Sequence, residues 1–157
     1  MNAAPAPDNG FLEPLAGVLL DSYRHWIGEV LLPVTDNPAS RAEALYKAPF
    51  AVLAHDRAAD PRFIYANLTA QRLFEMPWAE IVGLPSRHSA EAAVQAERDA
   101  LLAEVVRQGY SRAYSGVRIA RSGRRFRIEA ATVWNLLDAD GRHLGQAACF
   151  AHWQPLA

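Results

Sequence analysis

The strongest local concentration of chemically useful side chains is a run of arginines in the second half of the sequence. Seven arginines and no acidic residue fall between Val105 and Ile128, namely Arg107, Arg112, Arg118, Arg121, Arg124, Arg125 and Arg127. A guanidinium forms forked hydrogen bonds with carboxylate or phosphate, so the run is compatible with a site for a small anionic ligand or partner. The alternative, which we favour, is a solvated strand face whose charges protect the sheet edge. Nucleic acid is the least favoured partner because the formal net charge is −1.

A second group of polar side chains lies in the predicted loop before a long helix: Ser86, Arg87 and His88. We predict this helix over about residues 89–108. The free N–H groups and the positive dipole end of a helix start attract an anion, and Arg87 adds a charged, forked donor there. We therefore expect Arg87 to anchor a carboxylate or phosphate. The alternative is an ion pair with Glu91 or Asp56 that only holds the loop in place.

Further side chains, predicted on strands, complete the expected ligand-binding site: Tyr114, Arg118, Trp134 and Gln146. Gln146 is the most informative of them because it interrupts an apolar strand. A buried amide needs hydrogen-bond partners, which come either from the backbone or from a ligand. For Trp134, ordinary core packing is the alternative interpretation.

The sequence contains no positive signal for an enzyme. It lacks a Gly-x-Ser-x-Gly nucleophile motif and a phosphate-binding glycine loop. Its single cysteine, Cys149, lies among small apolar residues of a predicted strand, where an inert buried thiol is expected. The five histidines are too scattered for a zinc site, so we predict no catalytic residue and no metal ligand. His88 is better explained as a capping or hydrogen-bonded histidine than as a haem ligand, and the sequence identifies no cofactor.

Length and composition place the chain among globular proteins of one domain. It has 157 residues, of which 51% are hydrophobic and 21% charged. Residues 1–10 carry no Lys or Arg, which argues against a signal peptide. The longest apolar stretch, 15–32, contains charged residues, which argues against a membrane span. We therefore expect a cytoplasmic protein with no membrane partner.

The order of predicted elements defines the fold class. Residues 1–10 are predicted to form a flexible leader, 11–48 a helical extension and 49–157 the main domain. In the main domain the hydrophobic period gives the order β-β-α-α-α-β-β-β. This order predicts an α+β fold with a five-stranded antiparallel sheet and its helices on one face. The apolar stripe of the N-terminal helix, 15–31, either packs on the outer face of the sheet or meets its copy in a homodimer.

Alternation predicts which strand residues share a face. Phe126, Ile128, Ala130, Thr132 and Trp134 are expected on one buried face of a single strand. The final strand is predicted from Leu144 to Trp153 without interruption.

Several segments carry a family resemblance. Residues 63–74, with an aromatic strand, an Asn and then a helix, resemble the PAS pattern, and 121–126 and 138–142 resemble its two late hairpins. A closer resemblance is to the MEKHLA domain family, a PAS-like group, over about residues 12–153. The matching stretches are 85–91, 109–110, 114–119, 125–129, 133–136 and 145–148.

The resemblance implies a function of the same kind. MEKHLA domains occur in bacteria and at the end of plant homeodomain–leucine-zipper proteins, but this chain has no homeodomain or zipper. The resemblance implies a stand-alone sensory module that binds a small molecule or a protein partner and signals in trans. The alternatives are a dimerisation or interaction domain with a filled cavity, and a small enzyme of unknown type. Flavin photochemistry is not expected, because the Asn-Cys-Arg motif of light-sensing PAS domains is missing.

Overall fold

The structure, a computed structural model, describes residues 3–33, 36–90 and 95–156. Its α-helices are α1 (Glu13–Ile27), α2 (Pro38–Tyr46), α3 (Leu68–Phe74), α4 (Trp78–Ile81) and α5 (Gln95–Gln108). Its strands are β1 (Ala51–Asp56), β2 (Phe63–Ala66), β3 (Tyr110–Ile119), β4 (Arg125–Leu137), β5 (His143–Phe150) and β6 (His152–Pro155). Two short 3-10 helices cover Pro7–Asn9 and Ser86–Ser89.

The strands form one antiparallel sheet in the order β2-β1-β5-β4-β3. A sixth strand, β6, pairs only with β4 and is not part of this order. The sheet therefore has six strands, where five were predicted. The predicted final strand is interrupted at the bend of Ala151, which separates β5 from β6. The first half of β4 pairs with β6 and its second half with β5. The α+β class and the antiparallel sheet are confirmed.

A bulge in β4 reverses the predicted alternation. Ala130 has φ +52°, in the left-handed region that few alanines adopt. The pairs Tyr114–Ala131 and Gly116–Ile128 are two residues apart on β3 but three residues apart on β4, so β4 contains one extra residue here. A single extra residue moves every later side chain to the opposite face. The prediction that Trp134 shares a face with Phe126 and Ile128 is therefore wrong.

The two faces of the sheet carry separate hydrophobic cores. We call the face with Leu53 and Ile128 the inner face; it packs against α3 and, around Val133, against α5. The outer face, with Val52 and Trp134, packs against α1 and α2. Packing of α1 on the outer face is the first of the two predicted alternatives. A homodimer through α1 stays a prediction, and it would use the exposed side of the helix.

Hydrogen bonds attach α1 to the second half of β4. The Ser22 hydroxyl accepts from the backbone N–H of Leu137 at 2.8 Å and donates to its carbonyl at 3.2 Å. Trp26 Nε1 donates to the carbonyl of Asn135 at 2.9 Å. In the opposite direction, Trp134 Nε1 donates to the carbonyl of Leu19 at 3.2 Å. These bonds satisfy polar groups that burial would otherwise leave without partners.

Asn67 organises the region where β2 turns into α3, as the sequence predicted. Its side chain is fully buried, and its Oδ1 accepts from the N–H of Ala70 at 3.1 Å, which caps α3. The same oxygen accepts from the N–H of Val52, while Nδ2 donates to the carbonyls of Leu45 and Phe50. One amide therefore joins α2, β1 and α3.

The first described residues contact the rest of the chain. Asn9 Oδ1 accepts from the backbone N–H of Ala6 at 2.9 Å, and Asn9 Nδ2 donates to the carbonyl of Ala4 at 2.9 Å. Ala4 itself packs against the outer core. The division into a leader, an extension and a main domain stays a prediction. Within the described ranges, no helix is long and apolar enough to cross a membrane.

Candidate functional site

A cavity of about 80 Å³ lies between the inner face of the sheet and the helices that cover it. All strands except β6 contribute to it, together with α3, the second 3-10 helix and α5. Its lining residues are Leu53, Ala54, His55, Phe63, Phe74, Ser86, Ser89, Leu101, Leu102, Tyr114, Arg118, Ile128, Val133, Gln146, Ala147, Ala148 and Phe150. The walls are mainly apolar. The volume exceeds what one water needs but is well below the roughly 300–1,000 Å³ of a drug-sized site.

Gln146 is the most buried polar side chain of the strands that line this cavity, with 5% of its surface exposed. Its Nε2 donates to Asn135 Oδ1 at 3.2 Å, and Asn135 Nδ2 donates to the carbonyl of Val105 at 3.0 Å. This chain of bonds sets the orientation of both amides, because a donor at each step meets an acceptor. Gln146 Oε1 is buried and has no hydrogen-bond partner among the described residues.

Two buried serines lie at the 3-10 helix end of the cavity. The backbone N–H of Ser86 donates to the carbonyl of Pro61 at 2.8 Å, and Ser89 Oγ donates to the carbonyl of Ser86 at 2.7 Å. The predicted helix does not begin at Ser89, because Ala90 is extended with φ −137° and ψ 143°. The helix is described from Gln95, and residues 91–94 lie outside the described residues. The predicted anion site at a helix start by Arg87 therefore loses its geometric basis.

Arg118 and Tyr114, both predicted as ligand-binding residues, line the cavity from β3. The Arg118 guanidinium carbon lies 5.4 Å from the centre of the Tyr114 ring, within the range of a cation–π contact. Arg118 Nη1 also donates to the carbonyl of Val117 at 2.9 Å. The cation is thus held against β3.

Arg87 and His88 do not line the cavity; both are exposed. Arg87 Nε lies 3.1 Å from Asp60 Oδ1, and about half of each side chain is exposed. The structure therefore agrees with the alternative of a loop-holding ion pair, here with Asp60; the predicted partner Glu91 lies outside the described residues.

Trp134 lies on the other side of the sheet. It is fully buried in the outer core, and its ring meets that of Tyr23 edge to face at 5.0 Å. Its predicted place in the cavity wall is wrong, and the bulge at Ala130 is the reason. Of the predicted site, the structure brings together Ser86, Tyr114, Arg118 and Gln146.

Sequence reasoning missed Asn135 and His55. Asn135 faces Gln146 in the β4–β5 pairing, and His55 faces Gln146 in the β1–β5 pairing. A signal for Asn135 was available, since it is a second amide within an apolar strand. Its pairing with Gln146 could not be predicted from the sequence, because the β4–β5 register shifts between Leu136 and Leu137.

Three arginines of the run connect elements. Arg121 pairs with Glu80 of α4, Arg124 pairs with Glu75 after α3 at 3.3 Å, and Arg112 lies 3.8 Å from Glu29. Arg124 Nη2 also donates to the carbonyl of Leu73 at 2.9 Å. These contacts give the three side chains a structural role, which differs from the solvated strand face that we favoured; an anion site stays a prediction.

Glu75 is tied to the β3–β4 turn by more than one bond. Its carboxylate accepts from the backbone N–H of Ser122 at 3.0 Å and pairs with Arg124. The hydrogen bonds from Ser122, and then the positive charge of Arg124, lower the pKa of Glu75.

Cys149 is buried in the outer core, as predicted. Burial raises the pKa of its thiol to about 12. It occupies the face opposite to Gln146 and Ala148, since neighbouring residues of a strand alternate. Within the described ranges, no group of three or more His, Cys, Asp or Glu side chains is arranged to hold a metal ion.

Comparisons with known proteins agree with this architecture. The family model of the MEKHLA domain matches residues 13–155. No curated protein matches the chain. Among solved structures, a PAS domain from Colwellia psychrerythraea has a TM-score of 0.61 at 15% identity, covering 74% of this chain and 94% of that one.

Two further solved structures share the fold. An RNA-binding light-oxygen-voltage receptor has a TM-score of 0.62 at 20% identity; 76% of this chain matches about a third, 34%, of that receptor. The PAS domain of a LuxR-family transcriptional regulator from Burkholderia thailandensis, in complex with ethanol, has a TM-score of 0.54 at 16% identity, covering 73% of this chain and 95% of that one. At these identities the likeness shows the fold, which is that of PAS domains.

Proposed function

Because the chain belongs to the MEKHLA domain family and has a PAS-like fold, we propose that it is a sensory module. It binds a small molecule in the inner-face cavity and passes the change to a partner protein. The observation that supports this most directly is the cavity itself, with its mainly apolar wall and the buried amide of Gln146 in that wall. A native interior is normally close-packed, so a void of this size is typical of a binding site.

The cavity is matched to a ligand of a few atoms. The PAS domain from Burkholderia thailandensis was solved in complex with ethanol, a molecule of that size. By contrast, an interaction domain with a filled interior would leave no such space.

Asn135 provides a route from the cavity to α1. Its side chain accepts from Gln146 at the cavity and donates to Val105 of α5. Its backbone carbonyl accepts from Trp26 of α1, and its backbone N–H donates to the carbonyl of Gly109 at 2.9 Å. A ligand that moves Gln146 therefore acts on the ends of α1 and α5, where a partner protein has access to the change.

Native mass spectrometry tests the binding step. The full chain is purified without denaturation, and we expect a fraction to carry additional mass. Ala148→Leu adds three carbons at the cavity wall and should abolish this fraction by filling the space. Ala113→Leu, at an exposed position of β3, is the matched control and should retain it. Equal retention by both variants, or no additional mass on the unmodified chain, would contradict the proposal.

A further inference from the structure

We propose that the ligand is a short-chain monocarboxylate, whose charged group pairs with Arg118 while its hydrocarbon part fills the apolar interior of the cavity. This inference rests on the proposed sensory function and specifies the chemical class that the same cavity accepts.

The charge of the ligand follows from Arg118. It is the permanently charged side chain among the described lining residues, which include neither Asp nor Glu. The ion pairs within the described ranges do not involve it either. Arg112, Arg121 and Arg124 of the same run, by contrast, each pair with a carboxylate of the chain. A half-buried cation beside apolar surface is stabilised by an anion that forms hydrogen bonds with it.

Arg118 is held in place and still has donors to offer. Its guanidinium carbon lies 5.4 Å from the centre of the Tyr114 ring, and Nη1 donates to the carbonyl of Val117 at 2.9 Å. This is the one hydrogen bond that the side chain forms with described residues, whereas a guanidinium carries five N–H donors. The others can form the paired hydrogen bonds that a carboxylate accepts. Because the two contacts already fix the side chain, binding requires little further ordering.

The size of the cavity limits the ligand to a short chain. An engineered protein cavity of about 150 Å³ accepts benzene, which has six non-hydrogen atoms. By proportion, about 80 Å³ accepts roughly three or four, which corresponds to a carboxylate of about two to four carbons when its charged group lies at Arg118. Flavins, haem and nucleotides are several times larger than this.

The wall of the cavity determines the rest of the ligand. Leu101, Leu102 and Phe74 line the space with apolar surface, so the part that enters it should be hydrocarbon. A second carboxylate would lose its hydration among these side chains, and the described lining residues offer no second permanent cation. A monocarboxylate avoids this cost.

Matched probes separate charge from shape in one titration. The full ¹⁵N-labelled chain is titrated at pH 7 with propionate, with propionamide, which has the same shape but no charge, and with inorganic phosphate, which has charge but no hydrocarbon. Binding is read from the amide resonances of Leu53, Val133 and Ala148, which line the cavity. We expect propionate to bind at least about ten-fold more tightly than propionamide, the worth of a hydrogen bond to a charged group. Phosphate should bind more weakly than propionate because it buries no apolar surface.

Two variants assign the preference to Arg118. Arg118→Met removes the charge but keeps an unbranched side chain, and it should lower the affinity for propionate at least about ten-fold while propionamide still binds. Arg127→Met is the matched control, because Arg127 belongs to the same arginine run but is exposed on β4 and does not line the cavity. If Arg118→Met does not fold, Arg118→Lys serves instead; it keeps the charge without the planar fork and should bind propionate several-fold more weakly.

The outcomes are distinguishable. Equal binding of propionate and propionamide, tighter binding of phosphate, or a preference that survives substitution of Arg118 would overturn the ligand class but leave cavity binding intact. An equal loss in Arg127→Met would assign the preference to the general surface charge and overturn it too. If none of the probes shifts the cavity resonances, the monocarboxylate is contradicted, and the additional mass on the native chain decides the proposed function separately.

Discussion

The two faces of the sheet differ in how completely their partners fill them. On the outer face, α1 packs over Trp134, and the indole and hydroxyl groups that join the two elements are hydrogen-bonded. On the inner face, the helices leave about 80 Å³ of space. This difference supports a structural role for the outer face and the proposed binding role for the inner face. Substitutions on the two faces should therefore have different consequences.

Trp134→Ala should have the largest effect on stability. The side chain is fully buried in the outer core, and its removal should lower the free energy of unfolding by about 3–5 kcal/mol. Chemical denaturation of the full chain measures this. Ala148→Leu, on the inner face, is the comparison and should be tolerated better because space is available beside it. If Trp134→Ala costs less than Ala148→Leu, the assignment of the two faces is reversed.

Gly109→Ala tests the contact between α1 and the end of α5. Gly109 has φ +96°, and a Cβ there would collide with the Trp26 ring. Gly141→Ala is a matched control, with φ +80° and no atom within 4 Å of the added Cβ. We expect the control to cost about 1–2 kcal/mol from the backbone alone. Gly109→Ala should cost at least about 1 kcal/mol more, from the clash. Equal losses would mean that Trp26 moves aside freely.

The pH dependence of stability tests whether Glu75 connects the end of α3 to the β3–β4 turn. Its pKa is lowered in the folded state, so its contribution to stability is complete above the unfolded pKa of about 4.3 and is lost as the pH falls below it. The free energy of unfolding, measured from pH 6 to pH 3, should therefore decline more steeply for the unmodified chain than for Glu75→Gln. Parallel curves would show that the bonds from Ser122 and Arg124 do not persist in solution.

Arg87→Met should have the smallest effect. The ion pair with Asp60 is half exposed, and such pairs contribute about 0–1 kcal/mol. Because Arg87 lies outside the cavity wall, the fraction of the chain that carries additional mass in native mass spectrometry should not change. Loss of that fraction, with stability retained, would restore Arg87 as a ligand anchor and move the site toward the surface.

The order of helices and strands could be predicted from the sequence because it depends on local residue patterns. The capping Asn67 and the apolar run of β1 occur where the sequence placed them, whereas α1 ends at Ile27, before the end of the predicted stripe 15–31. Gln146 was also readable, since a single amide in an apolar strand is conspicuous. These features require no knowledge of which strands pair.

The sequence did not allow us to predict which face of the sheet each side chain of β4 occupies. A bulge usually has a glycine at its positive-φ position, but here the residue is Ala130, which gives no warning in the sequence. Trp134 was consequently assigned to the cavity. The interruption at Ala151 and the pairing of Arg87 with Asp60 likewise depend on how distant segments meet.

A crystal structure of the full chain in propionate tests the central claim most directly. We expect electron density for propionate in the inner-face cavity, between Arg118 and Leu101. The outer face, including the bond from Trp134 to Leu19, should be unchanged by the ligand. Side chains that fill the cavity, or density for water alone in it, would contradict the proposal that the inner face binds a ligand.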